Sequence, residues 1–255
     1  MSRYYLISTI FLALILGSLA LDGTFHIPLT WYIALASVYV VTVVAGVIMP
    51  SLSFFVNVRT RGSGPGVALT FDDGPLPGMT NQVLDILGRY NIPGAFFCIG
   101  NRVDANPDLV RQIDHSGHLI GNHTYWHGKL FDLKSAPMVT RELYDTDVSI
   151  HRIIGKRPRL FRPPYGITNP MIARSLRRLN HTVVGWSIRS FDSITSDREK
   201  LFVRVTRSLK DGDIILFHDY SQTMIDILPD VIEHIRKSGL EIVRVDKLLN
   251  EKPYA

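Results

Sequence analysis

Apolar and charged residues divide the chain into an uncharged N-terminal part and a mixed remainder. No charged side chain occurs over residues 4–21, and after a short polar break a second uncharged run extends over residues 27–58. At about 1.5 Å per residue, the most apolar part of the second run, residues 29–49, would span the ~30 Å hydrocarbon layer of a bilayer. We predict that residues 1–56 anchor the chain as a membrane hairpin of two helices. Buried helices of a soluble protein, and a signal peptide in the first run, are the alternatives.

Beyond residue 66, short apolar runs alternate with amphipathic helical patterns, which is typical of a parallel sheet covered by helices. Strands are predicted over residues 67–71, 94–99, 118–121, 159–161, 182–186, 213–217 and 240–245. Helices are predicted over residues 79–90, 107–117 and 136–154, and from about residues 169, 197 and 223. About seven strands favour a closed or nearly closed (β/α) barrel over an open sheet. We predict one α/β domain over residues 67–255, preceded by a Gly/Pro-rich linker at residues 57–66.

Composition and charge exclude several other classes of protein. The chain has 255 residues and a net charge of +5, yet residues 1–56 contain only one basic residue, Arg3, and one acidic residue, Asp22. The net charge therefore lies after residue 56, in a part long enough for one domain with a sizeable core. The single cysteine, Cys98, excludes an intramolecular disulfide and a zinc site of several thiolates. No basic run with interleaved aromatic residues occurs, so nucleic acid is not an expected partner.

The arginines that flank the apolar runs bear on the side of the membrane that the domain occupies. The positive-inside rule places Arg3 and the pair Arg59 and Arg61 on the cytoplasmic side. A hairpin with this orientation leaves the C-terminal domain facing the cytosol. The evidence is three arginines, so we predict an integral membrane protein and leave the side of the domain open.

Titratable residues follow the predicted strands where each strand ends, which is the edge that carries the active site in parallel (β/α) barrels. Asp72 and Asp73 follow the first strand of the domain. Two adjacent carboxylates on a turn point in different directions, so one can bind a metal while the other takes a proton. An ordinary turn is the alternative interpretation of this pair taken alone.

The pair His123 and His127 is spaced as two metal ligands, because residues four apart share one face of a helical turn. With Asp73 they supply two nitrogen ligands and one oxygen ligand. Catalytic zinc typically uses three protein ligands and keeps one position open. The same set describes the facial triad of non-haem iron oxygenases, so the ligand types alone leave both chemistries open.

Three further positions complete the predicted site. In Arg162-Pro-Pro-Tyr165 two prolines stiffen the loop after a strand, so it can hold a guanidinium against a carboxylate and fix a backbone N–H. His218 ends a buried strand as a candidate acid, and Asp192 could orient it. Taken singly, each is more often structural, and it is their convergence at one edge that favours function.

These residues, taken in order, resemble the five motifs of the polysaccharide deacetylase family (NodB-like, carbohydrate esterase family 4). The matching motifs are Thr70-Phe-Asp-Asp-Gly-Pro, His123-Thr-x-x-His127, Arg162-Pro-Pro-Tyr, Asp192 and Leu216-x-His218. The resemblance covers about residues 66–245, and the ordered set is specific although each motif alone is weak. It implies a distorted (β/α) barrel, in accord with the alternation of strands and helices.

The resemblance implies metal-dependent hydrolysis of an N-acetyl, and sometimes an O-acetyl, group on a sugar. Asp73, His123 and His127 would bind one divalent ion, usually zinc. Asp72 would be the general base and His218 the general acid. An oxygenase needs neither of these two groups, which favours hydrolysis.

Four other residues receive supporting roles from the resemblance. Arg162 would hold Asp72, and Asp192 would pair with His218. The backbone N–H of Tyr165 would help to bind the oxyanion, and Leu216 would line the acetyl pocket.

One motif departs from the family's pattern. Ser193 follows Asp192 where the family commonly has an aromatic residue, and Arg189 replaces an earlier acidic residue. The role of Asp192 survives this change, but the wall of the pocket differs, which leaves the preferred acyl group and sugar open.

Three functional hypotheses follow. The first is a membrane-anchored N-deacetylase of an acetylated glycan such as peptidoglycan or a chitin-like chain. The second is a deacylase, acetyl or formyl, of a lipid-linked sugar at the membrane surface, which suits a domain facing the cytosol. The third, a catalytically silent glycan-binding protein, is disfavoured because every expected ligand, base and acid is present. The oligomeric state stays open.

Overall fold

The computed structural model describes residues 2–255, which begin with two long apolar helices. Helix α1 (Arg3–Phe25) and helix α2 (Leu29–Ile48) are long and apolar enough to cross a membrane, each with a mean hydropathy of 2.1. They pack side by side, and the hydroxyl groups of Ser8 and Tyr39 are 3.0 Å apart between them. Most of their side chains are exposed. In water this apolar surface would be unfavourable, whereas lipid would accommodate it.

The rest of the chain is built on an eight-stranded parallel sheet with the order β1-β6-β5-β4-β3-β2-β8-β7. The strands are β1 (Val58–Arg59), β2 (Ala68–Asp72), β3 (Ala95–Cys98), β4 (Leu119–Asn122), β5 (Leu160–Phe161), β6 (Thr182–Val184), β7 (Ile188–Arg189) and β8 (Ile214–His218). Every neighbouring pair is parallel. The sheet curls into a half-barrel whose edges, β1 and β7, do not pair in residues 2–255.

Eight further helices follow or cover the strands. They are α3 (Met79–Tyr90), α4 (Gly100–Ala105), α5 (Pro107–His115), α6 (Ala136–Ile154), α7 (Pro170–Leu179), α8 (Arg198–Thr206), α9 (Gln222–Lys237) and α10 (Val245–Leu249). Side-chain oxygens of Asn169, Asp197 and Ser221 cap the starts of α7, α8 and α9 by accepting a backbone N–H of the first turn. Gly155 ends α6 in the left-handed region, at φ 71°.

The predicted fold class is confirmed, but the strand count and the closure of the barrel differ from the prediction. The two-residue strands β1 and β7 are too short to show a hydrophobic period, and both were missed. The strand predicted over residues 240–245 is wrong, because this segment makes only an isolated bridge between Ile242 and Val67. β2 is already paired along its length by β8 and over residues 70–72 by β3. The segment predicted as a linker, residues 57–66, contributes β1 to the sheet edge.

The core of the domain lies between the sheet and the helices around it. At its centre the rings of Phe71, Phe96 and Phe217, from three adjacent strands, stack with centroids 5.0 and 6.0 Å apart. All three are buried, as are all residues of β2, β3 and β4. This burial fixes the directions of the strands and therefore the place where their carboxyl ends meet.

The hairpin packs against the outside of the domain at α7. Phe54 and Phe55 are buried together with Ala173 of α7, and Tyr4 of α1 packs against both rings. At the end of α2, the carbonyl oxygen of Val47 accepts the backbone N–H of Thr168 at 3.3 Å. The first turns of α1 and the last turn of α2 are therefore in direct contact with the domain.

A buried histidine makes the stability of the domain depend on pH. The Nδ1 atom of His118 accepts the backbone N–H of Gly94 at 3.0 Å, so the neutral imidazole is the form that fits. Burial lowers the pKa of His118 to about 4. A histidine in the unfolded chain has a pKa of about 6.5, so the unfolded state binds the proton first as the pH falls. The contribution of His118 to the free energy of unfolding is therefore fully present above about pH 6.5 and is lost as the pH falls toward about 4.

We expect His118→Asn to reduce this loss of stability, because the amide oxygen can accept the Gly94 N–H and does not titrate. The variant should remove at most roughly 3 kcal/mol of the decrease in the free energy of unfolding between neutral and acidic pH. Denaturation midpoints of the full chain in detergent at neutral and acidic pH measure it. The matched control is His115→Asn at an exposed site of α5, and an equal effect of the two variants would contradict the assignment.

Candidate active site

The predicted site residues come together in one cleft at the carboxyl ends of the strands. The cleft has a volume of about 260 Å³. Its lining includes seven of the nine predicted residues, namely Asp72, Asp73, His123, His127, Tyr165, Leu216 and His218. The other two, Arg162 and Asp192, are buried and hydrogen bonded to residues of the lining. A larger groove of about 590 Å³ lies between α6 and α7 and contains none of these residues.

Asp73, His123 and His127 form a compact set of side chains that could hold a metal ion, which we call the metal-binding set. The Oδ1 atom of Asp73 lies 3.4 Å from Nε2 of His123 and 3.3 Å from Nε2 of His127. The three donor atoms all lie within 4.8 Å of one another. The Nδ1–H of His123 donates to the carbonyl oxygen of Arg162 at 2.7 Å. In this tautomer the Nε2 atom, which faces Asp73, carries a lone pair and can bind a metal.

The backbone around the two histidines is not the helical turn that their spacing predicts. Residues 123–127 form an irregular loop in which Thr124 and His127 have positive φ values of 66° and 48°. The side-chain oxygen of Asn122 accepts the N–H of Thr124, and the Thr124 hydroxyl accepts the N–H of His127. These two side-chain bonds, rather than a helix, bring the imidazoles together, with ring centroids 4.8 Å apart.

The distances fit a tetrahedral metal site. Zinc bonds to nitrogen and oxygen of about 2.0–2.2 Å place tetrahedral ligands about 3.3–3.6 Å apart, which matches both distances to Asp73. The Oδ1 atom of Asp73 is also buried and accepts no well-aligned hydrogen bond within residues 2–255. Burial raises the pKa of this carboxyl group, but the adjacent imidazoles of His123 and His127 outweigh it, so the pKa of Asp73 is well below its usual range. A buried carboxylate that stays ionised beside two imidazoles is a suitable ligand set for a divalent cation.

Asp72 is held in place by a buried guanidinium. Nη1 of Arg162 donates to Oδ1 of Asp72 at 2.7 Å and to the hydroxyl of Thr70 at 2.9 Å. The other oxygen, Oδ2, lies 3.8 Å from Nε2 of His123 and lines the cleft. One oxygen of Asp72 is thus fixed by charge, while the other faces the same space as the metal-binding set.

On another strand end, His218 and Asp192 form a second pair. The Nδ1 atom of His218 lies 2.8 Å from Oδ1 of Asp192, and the backbone N–H of His218 donates to Oδ2 at 2.8 Å. The hydroxyl of Ser190 also donates to Asp192. Burial lowers the pKa of His218, but the hydrogen bond and charge of Asp192 outweigh it, so the pKa is raised. The protonated imidazole is favoured there.

Tyr165 and Leu216 occupy the positions expected from the sequence. Tyr165 has a φ of 59°, and its ring packs edge-on against His127 with centroids 5.1 Å apart. The next residue, Gly166, also has a positive φ, and a Cβ atom there would lie 2.4 Å from the ring of Trp186. The glycine thus lets the loop approach Trp186 closely, and both line the cleft with Leu216.

Sequence reasoning missed two residues next to the site. Tyr220 lines the cleft two residues after His218, a position that the same strand end could have indicated. Asp219 is buried, burial raises its pKa to about 7, and its Oδ2 atom accepts the hydroxyl of Thr80 at 2.5 Å. A Cβ atom on Gly74 would lie 2.1 Å from that oxygen, so the close approach of Asp219 requires glycine in the turn after Asp73.

Comparison with known proteins agrees with the fold. The polysaccharide deacetylase profile matches residues 59–184. A peptidoglycan-N-acetylglucosamine deacetylase of Bacillus cereus is 36% identical over 193 residues, covering 73% of this chain and 89% of the relative. The peptidoglycan-N-acetylmuramic acid deacetylase PdaA of Bacillus subtilis is 32% identical over 190 residues, covering 73% and 72%.

Among solved structures, the crystal structure of a peptidoglycan N-acetylglucosamine deacetylase superposes with a TM-score of 0.73 at 27% identity, covering 77% of this chain and 94% of that one. Some other matched peptidoglycan deacetylases are longer, and this chain spans 38% to 43% of their length. The profile includes β2 to β6 and the motifs from Thr70 to Tyr165. The chain belongs to the polysaccharide deacetylase family (carbohydrate esterase family 4).

Proposed function

We propose that this protein is a membrane-anchored, metal-dependent hydrolase that removes N-acetyl groups from an N-acetylated glycan of the peptidoglycan type. The observation that carries the proposal is one cleft that holds a three-residue metal-binding set, a carboxylate fixed by Arg162 and a histidine paired with Asp192. The peptidoglycan deacetylases among its relatives support the substrate class. In this proposal residues 1–56 are the anchor and residues 67–255 the catalytic domain.

Asp73, His123 and His127 would hold one divalent ion, with zinc favoured by the ligand types and distances. When bound, such an ion acts as a Lewis acid and lowers the pKa of a water toward ~7. Asp72 takes the proton of the attacking water on the oxygen that Arg162 leaves free. The backbone N–H of Tyr165 stabilises the oxyanion, a type of donor that contributes roughly 3–4 kcal/mol. Leu216 holds the methyl group of the acyl chain.

His218 supplies the proton that the departing amine requires, because an amine anion is a very poor leaving group. Its raised pKa keeps the imidazole protonated, and Asp192 orients the ring through Nδ1. Asp72 and His218 therefore act as base and acid in one turnover. Asp192 is a positioning residue in this scheme, since it contacts His218 and not the substrate.

A second candidate function is deacylation, acetyl or formyl, of a lipid-linked sugar at the membrane surface. The observation that favours it is the bond from the Thr168 N–H to the Val47 carbonyl, which joins the end of α2 to the loop that contains Tyr165. The cleft therefore opens close to the foot of the proposed anchor. The positive-inside rule, applied to Arg3, Arg59 and Arg61, also favours a cytosolic domain, which a polymer outside the cell could not reach.

Asp72→Asn should lower kcat for acetate release by about 10²–10⁴-fold, because the amide cannot accept the proton. Metal content should stay at the level of the unmodified chain, since Asp73 and both histidines are untouched. Acetate release from N-acetylated glycan fragments and metal analysis of the purified protein measure both quantities. Unchanged turnover would contradict the role of Asp72 as the base.

The matched variant for metal binding is His123→Ala, which removes one of the three ligands. We expect it to lose bound metal as well as activity, in contrast to Asp72→Asn. Full metal occupancy in His123→Ala would contradict the ligand set and the proposed function with it.

Asp192→Asn should shift the alkaline limb of the kcat/KM profile to lower pH. Asp192 raises the pKa of His218, and the acid works in its protonated form, so activity is lost as the pH rises through that pKa. Without the carboxylate the loss should begin at lower pH. Rates over a range of pH measure the shift, with Asp226→Asn on α9 as the control carboxylate. Reduced activity with an unshifted profile would contradict the positioning role.

Labelling with a membrane-impermeant maleimide in intact cells decides between the two candidate substrates. Val203→Cys on α8 provides an exposed thiol on the domain, and Cys98 is fully buried. The glycan candidate requires labelling at residue 203 in intact cells, whereas the lipid-linked candidate requires it only after permeabilisation. Thr24→Cys, at the far end of the hairpin, should give the opposite result. The same result at both positions would contradict the hairpin.

A further inference from the structure

Positive charge is concentrated on one segment of the chain. The 44 residues between Asp147 and Asp192 contain nine Lys or Arg residues and no Asp or Glu. In the middle of this segment, α7 exposes Arg174, Arg177 and Arg178 and carries no acidic residue. Since the whole chain has a net charge of +5, the remainder outside this segment sums to 5 − 9 = −4. The net positive charge of the chain therefore lies in this segment of the sequence, and α7 is the helix of the segment that exposes three arginines.

Exposed apolar side chains lie on the loop that is bonded to the start of α7. The loop that precedes α6 exposes Trp126, Leu130 and Leu133, whose exposed fractions are 61%, 67% and 75%. The loop is fixed beside the start of α7, because Nδ2 of Asn169 donates to the carbonyl oxygen of Asp132 at 2.5 Å. We call Trp126, Leu130, Leu133, Arg174, Arg177 and Arg178 the docking band.

The docking band lies near the end of the hairpin that contacts the domain, where α1 begins and α2 ends. Phe131, between the two exposed leucines, is buried in the cluster that contains Ile172 and Leu176 of α7. On its other side α7 contacts the hairpin, because Ala173 packs with Phe54 and Phe55. Arg177 shares a cleft with Arg3 at the start of α1. If the hairpin spans a membrane, this band therefore lies at the level where its helices leave the lipid.

We propose that the docking band binds the surface of an anionic lipid bilayer. The chemistry matches, because tryptophan and leucine favour the boundary between headgroups and acyl chains, and arginines are attracted to anionic headgroups. The inference rests on the membrane anchor of the proposed function, but not on the chemistry in the cleft.

Docking in this way fixes the direction in which the catalytic cleft opens. His127 follows Trp126 directly, and Tyr165 is three residues from Thr168, which is bonded to α2. The wall of the cleft formed by these two residues is thus the wall nearest the docking band. The lipid contact would hold the cleft beside the membrane surface rather than leave the domain free to rotate on its anchor.

Quenching by spin-labelled lipids tests the contact in the full chain. Leu133→Cys is labelled with a fluorophore, Cys98 being buried, and the protein is placed in nanodiscs of phosphatidylcholine with or without phosphatidylglycerol. The matched control is a label at Val203→Cys on α8. In anionic nanodiscs we expect quenching at residue 133 to exceed that at residue 203 by at least about twofold, and to weaken in high salt.

A set of charge variants then tests the arginines. Replacing Arg174, Arg177 and Arg178 together with Gln should weaken docking by up to about a hundredfold, at roughly fivefold per charge near an anionic surface. Quenching at residue 133 should fall toward the level at residue 203. The matched control replaces Lys200, Lys210 and Lys237 with Gln and should leave quenching at residue 133 unchanged. Replacing the three arginines with Lys keeps the charge and should preserve the contact, which separates lost charge from misfolding.

The possible outcomes are distinguishable. Equal quenching at residues 133 and 203 in a chain that is incorporated in anionic nanodiscs would overturn the docking band while the anchor stands. Quenching at residue 133 could instead be unchanged by anionic lipid and by the arginine variants. That result would overturn the proposal that the docking band binds anionic lipid. A chain that does not enter nanodiscs would overturn the anchor and this inference together, whatever the result of the acetate-release assay.

Discussion

The arrangement of the active site depends on one buried positive charge, the guanidinium of Arg162. Burying an unpaired charge is very unfavourable, so its donors must all find acceptors. Nη1 binds Asp72 and Thr70, while Nε and Nη2 bind the carbonyl oxygens of Val184 and Gly185. The plane of the guanidinium also lies over the ring of Phe97, 4.2 Å from its centroid. Burial lowers the pKa of Arg162, and the charge of Asp72 opposes this effect.

The backbone of Arg162 extends the same constraint to the metal-binding set. Its carbonyl oxygen accepts the Nδ1–H of His123, and its N–H donates to the carbonyl oxygen of Asn122. One residue thus holds the proposed base through its side chain and selects the tautomer of a proposed metal ligand through its backbone. Because these bonds join β2, β4, β5 and β6, a shift of any one strand would disturb the base and the ligand together. This coupling explains why a half-open sheet of short strands can still hold a precise site.

The sequence predicted the parts of the fold that carry a strong local signal. The strands β2, β3, β4 and β8 are four or five residues long and mostly apolar, and α3 and α6 begin and end where their apolar periodicity predicts. All nine predicted site residues lie in or directly behind one cleft, because the carboxyl ends of parallel strands meet at one edge. Tertiary context decided the rest. The two-residue strands exist only because neighbouring strands pair with them, and the loop of His123 and His127 is shaped by the side chain of Asn122, which no spacing rule detects.

The contact between the hairpin and the domain would give the proposed anchor more than a tethering role. A flexible tether would leave the domain free to orient itself, but here the end of α2 is bonded to the loop of Tyr165 and the start of α1 packs on Phe54 and Phe55. The intervening chain leads directly into β1, so that anchor, sheet edge and cleft are continuous. The orientation of the helices in a bilayer would therefore fix the orientation of the cleft. For an enzyme built in this way, access to substrate is set by which side of the membrane the domain occupies and how close to the lipid the acyl group is presented, as well as by the pocket itself.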